Sequence, residues 1–501
     1  MKDVIMVNAI DNVAVVVKSG GLDIGVEVDK GIVTKTKVPQ GHKVALKTFE
    51  INDPIIRYGE IIGYAKDVIQ VGTHINEHMV ILPQLTDIAN FPFIEEKAVE
   101  VAESERTFMG YKNDDGSVGT KNLLGIITTV QCVEGVVNLA VKKANETLLS
   151  KYPNVDGIMA LNHNYGCGVA INANNSEIPK RTLRNIAQNP NFSGNPIIVG
   201  LGCEKFMPHD LYSEADESNL IILQDEEGFN PMMNALLEMI EEKLVALNKR
   251  QREKCPISSL VVGLQCGGSD SFSGVSANPS LGYAADILVK AGATVLFSEV
   301  SEVRDGAHLL IPRCVNDKVA RKFITQMLWF DDYLATGGTD RDANPTPGNK
   351  KGGLANIVEK ALGSVAKSGT SNIVDVLEPG EKITRRGLIY AATPASDFVC
   401  GTLQLASGIT TQVFTTGRGT PYGLKLAPVI KVSTNSDLKS KWDDLIDIDA
   451  GKILTGASTI EEVGLELFEY IIKVASGEVK TCADKYGIEN AICLFNPAPI
   501  T

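Results

Sequence analysis

Leu123-Leu-Gly-Ile-Ile-Thr-Thr-Val-Gln-Cys132 sets a pattern that the chain writes three more times. The other copies are Val155-Asp-Gly-Ile-Met-Ala-Leu-Asn-His163-Asn-Tyr165-Gly-Cys167, Pro196-Ile-Ile-Val-Gly-Leu-Gly-Cys203-Glu204 and Leu260-Val-Val-Gly-Leu-Gln-Cys266-Gly-Gly-Ser-Asp270. Each is a short apolar run, a turn and a cysteine. The runs have the length and β-branched content of strands and are bounded by glycine. Helical patterns at 136–150, 178–188 and 230–254 separate them, and strands alternating with helices predict a parallel sheet. On that reading all four thiols arrive at one carboxyl edge.

Open α/β sheets place ligands at that edge, because the loops leaving the strands form a crevice there. A single cysteine in such a place is explained by packing, since the thiol is a small apolar group. Four in equivalent positions instead favour a metal or iron–sulfur site with Cys132, Cys167, Cys203 and Cys266 as ligands. None of the spacings is a CxxC pair, so the signal is positional.

Working outward, 501 residues that are 44% hydrophobic suffice for two or three cores. Lys+Arg 48 against Asp+Glu 61 gives a net charge of −13 without a basic block, which argues against nucleic-acid and anionic-membrane partners. No apolar run approaches a membrane span and no signal-peptide pattern opens the chain. Nine cysteines spread over a long chain read as reduced thiols, and the expected compartment is the cytoplasm.

Residues 1–82 read as a small β domain, with short strands near 12–17, 43–49 and 61–64 between glycine turns. Within it Gly41-His42-Lys43 puts a histidine and a lysine on a turn before a strand, where His42 taken alone reads as a surface residue. His74 and His78, at i and i+4, lie in a run too short and interrupted for a metal-binding helix face. A linker is expected over 83–105 and a cysteine-bearing α/β domain over 106–335. A Gly/Pro/Asn-rich connection follows over 336–379, including Asn344-Pro-Thr-Pro-Gly-Asn-Lys350-Lys351-Gly-Gly353, and a C-terminal α/β domain over 380–501. Segments of that connecting composition are either functional or disordered. The strand at 411–415 feeds Thr416-Gly-Arg418-Gly419, whose amides could cradle an anion while Arg418 forks onto a carboxylate. It lacks the GxxxxGK[ST] pattern of a phosphate loop.

Several of these phrases also carry a resemblance. Gly41-His-Lys-Val-Ala-Leu46, Gly116-Ser-Val-Gly-Thr-Lys-Asn122, Gln265-Cys-Gly-Gly-Ser-Asp270, the 344–353 segment and Thr416-Gly-Arg-Gly-Thr-Pro-Tyr-Gly423 resemble the altronate/galactarate family of sugar-acid dehydratases. Leu161-Asn-His163-Asn-Tyr-Gly-Cys167, Arg386-Gly-Leu-Ile-Tyr-Ala-Ala-Thr-Pro-Ala-Ser-Asp397 and the ending Phe495-Asn-Pro-Ala-Pro-Ile-Thr501 resemble its galactarate-type members. The resemblance spans essentially the whole chain. It implies an SAF-type β-clip domain ahead of a multi-lobed α/β body, and dependence on Fe2+, with another divalent cation or an iron–sulfur cluster as alternatives. It further implies an aldarate substrate, galactarate, dehydrated to 5-dehydro-4-deoxy-D-glucarate. Removing a proton next to a carboxylate requires stabilising a dianionic enediolate, so metal and cationic side chains are expected. His42 and His163 are then the candidates for base and acid, with Lys43 in reserve. Arg418, Lys350, Lys351 and Thr416 are candidates for the substrate carboxylates. Thiolates would suit iron, whereas an oxygen-rich magnesium site would need Glu204, Asp270 or Glu299. A homo-oligomer, a dimer, is the expected assembly.

Overall fold

The computed structural model describes residues 3–29, 31–98, 104–193, 195–498 and 500. The N-terminal region is all-β, as expected. Val13–Val16 and Lys43–Ala45 pair antiparallel in a four-stranded sheet with Val4–Ile5 and His74–Ile75, and Pro54–Arg57, Glu60–Ala65 and Val80–Ile81 form a second, three-stranded one. Part of the expected 83–105 linker, residues 99–103, lies outside the described residues.

The strand–turn–Cys repeats are strands, but they do not build one sheet. The first three lie in a four-stranded parallel sheet comprising β1 (Leu123–Thr128), β2 (Gly157–Leu161), β3 (Ile197–Gly200) and β4 (Leu220–Ile222), in the order β2-β1-β3-β4. The fourth repeat is β5 (Val261–Cys266), at the centre of a second, seven-stranded parallel sheet. Its other members are β6 (Thr294–Phe297), β7 (Ile373–Leu377), β8 (Leu388–Ala391), β9 (Thr411–Thr416), β10 (Val429–Ser433) and β11 (Ile448–Asp449). The order is β7-β8-β6-β5-β9-β10-β11. The seven-stranded sheet therefore draws β5 and β6 from the expected 106–335 unit and β8 to β11 from the expected 380–501 unit.

The point of division is local. The helix expected over 230–254 ends at Leu247, and Glu253–Pro256 instead forms a strand antiparallel to Thr107–Gly110. Pro256 biases the residue before it to extended backbone, which a helix cannot use. The outgoing strand thus pairs with the incoming one and closes the smaller sheet off as a unit. In the larger sheet β9 and β10 are buried at every position, as a parallel sheet covered on both faces requires. The 336–379 segment is ordered: it contains the fully buried helix Ile357–Val365 and β7. Among the described residues, no helix is long and apolar enough to cross a membrane.

Candidate active site

In the seven-stranded sheet the chain leaves β5 toward β6 and the β7 edge, then returns to β9 and proceeds toward the β11 edge. The loops after β5 and β9 consequently diverge at the switch point, where a doubly wound sheet opens its crevice. Two glycines let those loops close on the strands. A Cβ on Gly417 would run into the Asp270 carboxylate, and one on Gly267 into Asp397. Asp270 is buried, and burial raises its carboxyl above the usual range. It ties the crevice together by accepting from Phe272 N at 3.1 Å, Ser273 Oγ at 3.2 Å, Thr434 Oγ1 at 2.9 Å and Asn435 Nδ2 at 3.2 Å.

The N-terminal domain closes over this point. A cavity of about 250 Å³ is lined by Gly41 on one side and by Asp270, Lys351, Arg418, Asn435 and Lys441 among others on the opposite side. Backbone meets backbone at the seam, because a Cβ on Gly353 (φ +95°) would strike the Gly41 carbonyl. Below the turn, Lys43 and Arg57 of the β domain both reach Glu359 on the helix Ile357–Val365. Lys43 Nζ stands 2.9 Å from Glu359 Oε2 and donates to Gly353 O at 2.6 Å, and Arg57 pairs with Glu359 Oε1 and donates to Ser271 O at 2.6 Å. Burial alone would raise the Glu359 carboxyl, but the two cations outweigh it and hold it below the usual range. Lys43, expected as a reserve base, is thus fixed in a buried clamp, where burial lowers its pKa and Glu359 opposes the shift.

His42 sits above the clamp, half-buried. Its Nε2 lies 3.3 Å from Lys351 O and its Nδ1 2.9 Å from His74 Nε2, with the rings edge to face. Burial lowers the pKa of His42, and burial followed by His42 lowers that of His74 to about 4. Both rings are therefore neutral near pH 7 and joined by one shared proton. His74 lies on a strand and His78 in a 3-10 turn, so the helical pairing of the two does not form.

The expected anion turn is built differently from its sequence reading. Its amides already donate within the protein: Gly417 N and Arg418 N to Gly268 O at 3.1 and 2.8 Å, and Gly419 N to Thr416 Oγ1 at 3.0 Å. The buried Thr416 is a turn-holding residue in this arrangement. Arg418 is exposed on the cavity and its guanidinium has no hydrogen-bond or ion-pair partner among the described residues, and the same holds for the Lys351 and Lys441 ammonium groups. Lys350 is half-buried and outside the cavity lining.

Behind the β5 loop lies a wholly buried charge cluster. Lys367 Nζ donates to Glu299 Oε2 at 2.6 Å, Ser364 Oγ at 2.8 Å and Cys266 Sγ at 3.2 Å. Lys360 Nζ pairs with Glu302 Oε1 at 2.7 Å, and Cys266 Sγ donates to Glu302 Oε2 at 3.2 Å. Burial pushes Glu299 up to about 8 in spite of Lys367, and burial with Glu302 pushes the Cys266 thiol up to about 12. For Glu302 burial is outweighed by Lys360 and Lys367, which hold it down. Glu299 has φ 80°, a left-handed backbone that a non-glycine residue adopts only when its surroundings impose it. Cys266, Glu299 and Glu302 bring ligand atoms within 4.8 Å of one another and could hold a metal ion. The set fits a borderline divalent cation, with one thiol, carboxylate oxygens and a buried Glu299 Oε1 that no hydrogen bond satisfies. Glu302, Lys360, Lys367 and Glu359 went unread in the sequence. The signal was there in Ile357-Val-Glu-Lys-Ala-Leu-Gly-Ser-Val365, where two charges interrupt a run otherwise apolar enough for a core helix.

The other three thiols stand elsewhere, at the carboxyl edge of the four-stranded sheet, and all are exposed. His163 is on the same edge, buried, with Nε2 2.6 Å from Thr128 O and Nδ1 accepting from Tyr165 N at 3.1 Å. Burial lowers its pKa to about 4, and the backbone occupies both ring nitrogens. The arrangement leaves neither nitrogen for a substrate, so the expected acid–base partner of His42 is a histidine that shapes its own loop.

Three family descriptions match successive parts of the chain: "Altronate/galactarate dehydratase SAF domain" over 2–83, "D-galactarate dehydratase/Altronate hydrolase, second domain" over 110–248 and "D-galactarate/Altronate dehydratase, C-terminal" over 257–500. The chain is 56% identical over 508 residues to galactarate dehydratase (L-threo-forming) of Escherichia coli (strain K12), covering 99% of this chain and 97% of that one. It is 33% identical over 451 residues to altronate dehydratase of Bacillus subtilis (strain 168), covering 89% and 90%. To the (2R)-sulfolactate sulfo-lyase subunit beta of Chromohalobacter salexigens it is 32% identical over 380 residues, covering 74% and 93%.

Proposed function

Because the chain belongs to the D-galactarate/altronate dehydratase family, we propose that it is a hydro-lyase that converts galactarate to 5-dehydro-4-deoxy-D-glucarate and water. The observation that carries the reading is the 56% identity over 99% of the chain to a galactarate dehydratase. The switch-point cavity supplies what the chemistry needs. A substrate with a carboxylate at each end meets three cations without partners, Lys351, Arg418 and Lys441. Arg418 takes the distal carboxylate as a fork and Lys351 the one beside the reacting carbon. His42, kept neutral by burial, accepts the α-proton at Nε2 once its long contact to Lys351 O opens. This needs the tautomer with the ring proton on Nδ1, donated to His74 Nε2, in place of the Nε2–H tautomer that the Lys351 O contact takes. Lys43 and Arg57 act on this step only by fixing the β domain over the sheet.

The iron(II) that the family resemblance implies would be held by Cys266, Glu299 and Glu302, behind the β5 loop and outside the cavity lining, and would supply positive charge to a carboxylate brought against that loop. The test is turnover of galactarate, altronate and sulfolactate by anaerobically purified protein, read as 2-oxo acid, with and without added iron(II). Oxo-acid formation from galactarate well above the other two is the expected result. Binding of galactarate without product overturns the assignment in favour of a sugar-acid-binding protein.

A further inference from the structure

The switch-point cavity is lined by three cations without partners and, among the described residues, by two carboxylates, Asp270 and Asp437. Asp270 is buried and already accepts from four donors. Asp437 is exposed, and an anion in that place would repel a dicarboxylate substrate unless another group held it. The β domain holds it: Asp437 Oδ2 accepts from Gln40 Nε2 at 3.0 Å and from Ser19 Oγ at 3.1 Å.

The two donors stand on neighbouring turns. A Cβ on Gly21 would strike Val38 O and Pro39 Cα, so the 18–21 turn lies backbone against backbone on the 39–42 turn. The second turn is tight, with His42 N donating to Pro39 O at 3.1 Å and Gly41 N donating to Val16 O at 2.8 Å. His42 follows directly, so Asp437 holds the tip of the turn that carries the proposed base. On its other side Asp437 belongs to the short helix Ser436–Lys441, whose N-cap Asn435 donates from Nδ2 to Asp270 Oδ2 at 3.2 Å and to Gly417 O at 3.3 Å, beside Arg418. One carboxylate therefore joins the base-bearing turn to the loop of substrate-binding cations. The contact is at an exposed rim, whereas the Lys43 and Arg57 clamp on Glu359 is buried, so the rim is the part of the seam that can open.

The same carboxylate has a second partner one turn away. Asp437 and Lys441 are i and i+4 on the helix, both line the cavity, and the acid precedes the base, which is the better order for an ion pair. The next pair along, Lys439 and Asp443, does close at 2.7 Å. Lys441 stays free because Asp437 is turned to the β domain, and two charge-assisted hydrogen bonds to one oxygen outweigh an exposed i,i+4 pair. We propose that Asp437 is a positioning residue that exchanges partners. With the 39–42 turn seated it takes Gln40 and Ser19 and leaves Lys441 to a substrate carboxylate; with the turn lifted it pairs with Lys441 and cancels that charge. By linkage, a carboxylate that occupies Lys441 releases Asp437 to the β domain and so seats the turn bearing His42. The exchange rests on the dicarboxylate reading of the cavity.

The experiment introduces Asp437→Ala into two full-length backgrounds, the natural chain and a Ser19→Ala/Gln40→Leu variant that lacks both donors. KM and kcat for galactarate are measured, together with the acylation rate of Lys441 relative to Lys439 in ligand-free protein, read by peptide mass spectrometry. In the natural chain Asp437→Ala should lower kcat/KM by about three- to tenfold, because both bonds to the turn are lost. In the donor-less background the sign reverses: Asp437→Ala should lower KM by about twofold and speed Lys441 acylation, because an ion pair is removed from that amine. Adding Lys441→Met should abolish the reversal in KM. Asp437→Asn keeps the acceptor without the charge and should retain kcat with KM no higher than in the natural chain. Thermal midpoints of all variants should agree, since the contact is at the rim. No effect of Asp437→Ala in the donor-less background would make Asp437 a fixed latch, and a lower KM in both backgrounds would make it a simple repulsive charge; either result overturns the exchange. If the natural chain does not turn over galactarate, the dehydratase reading fails on its own, and the Lys441 acylation rates still decide the exchange.

Discussion

The same sentence of sequence ends at two sheet edges and does opposite things. At the edge of β1, β2 and β3, three cysteines project outward from loops braced by backbone contacts and one buried carboxylate, Glu204. At the edge of β5 the cysteine is buried, enclosed by Glu299, Glu302, Lys360 and Lys367, and the Lys351, Arg418 and Lys441 side chains in the open crevice beside it have no partners among the described residues. The difference lies in what covers each edge. The seven-stranded sheet is capped by the N-terminal domain and by the helix Ile357–Val365, which bring their own charges inward. At the smaller sheet's edge the loop that carries Cys167 is met instead by the apolar Ile500, which bridges Val169.

The contrast breaks most sharply on stability. Lys367→Met removes the donor that Glu299 Oε2, Ser364 Oγ and Cys266 Sγ share, leaving three buried polar groups without it at about 1–3 kcal/mol each. Cys203→Ser at the exposed edge should stay within about 0.5 kcal/mol when metal-free. Denaturant unfolding of the two variants side by side measures this, and similar midpoints would erase the distinction between the edges. Lys43→Met should come next, because Arg57 remains to face Glu359. We expect a loss of about 2–3 kcal/mol together with faster proteolysis at the domain seam. For the same reason, deleting the β domain is not a clean test of His42: it strips both cations from Glu359.

Within the crevice, Arg418→Ala and Arg418→Lys should both weaken kcat/KM by about ten- to a hundredfold, from a charge-assisted contact of about 1.5–3 kcal/mol. Lysine keeps the charge but loses the fork. A contact to the distal carboxylate is the same in ground and transition states, so the effect should fall on KM, and an effect confined to kcat would put Arg418 at the reacting end. The smallest effects concern pH. His42 must be neutral to accept a proton and its pKa is lowered by burial, so the acid limb of kcat/KM should lie below the free imidazole value of about 6.5. His163 titrates near 4 when folded and higher when unfolded, so the unfolded chain binds the extra proton in between. Its contribution to stability is complete above about 6.5 and is lost as pH falls toward 4. Replacing His163 by Gln should flatten that part of the stability profile.

Periodicity made the strands, most helices and the all-β beginning of the chain legible, because apolar spacing is a local property that burial enforces directly. Motif phrasing made the family legible. Residues on one turn or one strand end, such as Asp270 and Arg418, could be nominated because their neighbours in sequence are their neighbours in space. The helix limit at Leu247 was missed because the competing strand partner, Thr107–Gly110, is far away in sequence.

Sequence by itself thus determined that there are four strand–turn–Cys units, that their sheets are parallel and that the chemistry is a sugar-acid dehydratase's. Only the tertiary structure decided that three of those thiols face solvent and the fourth lies in a charge cluster. It also decided that Lys43 clamps two domains, that His163 is locked to backbone, and that His74 is the partner of His42. Each of these depends on which groups are brought together from distant segments. Burial and the charges across a domain seam set whether a side chain is free, paired or neutral, and neither is written in the spacing of one segment.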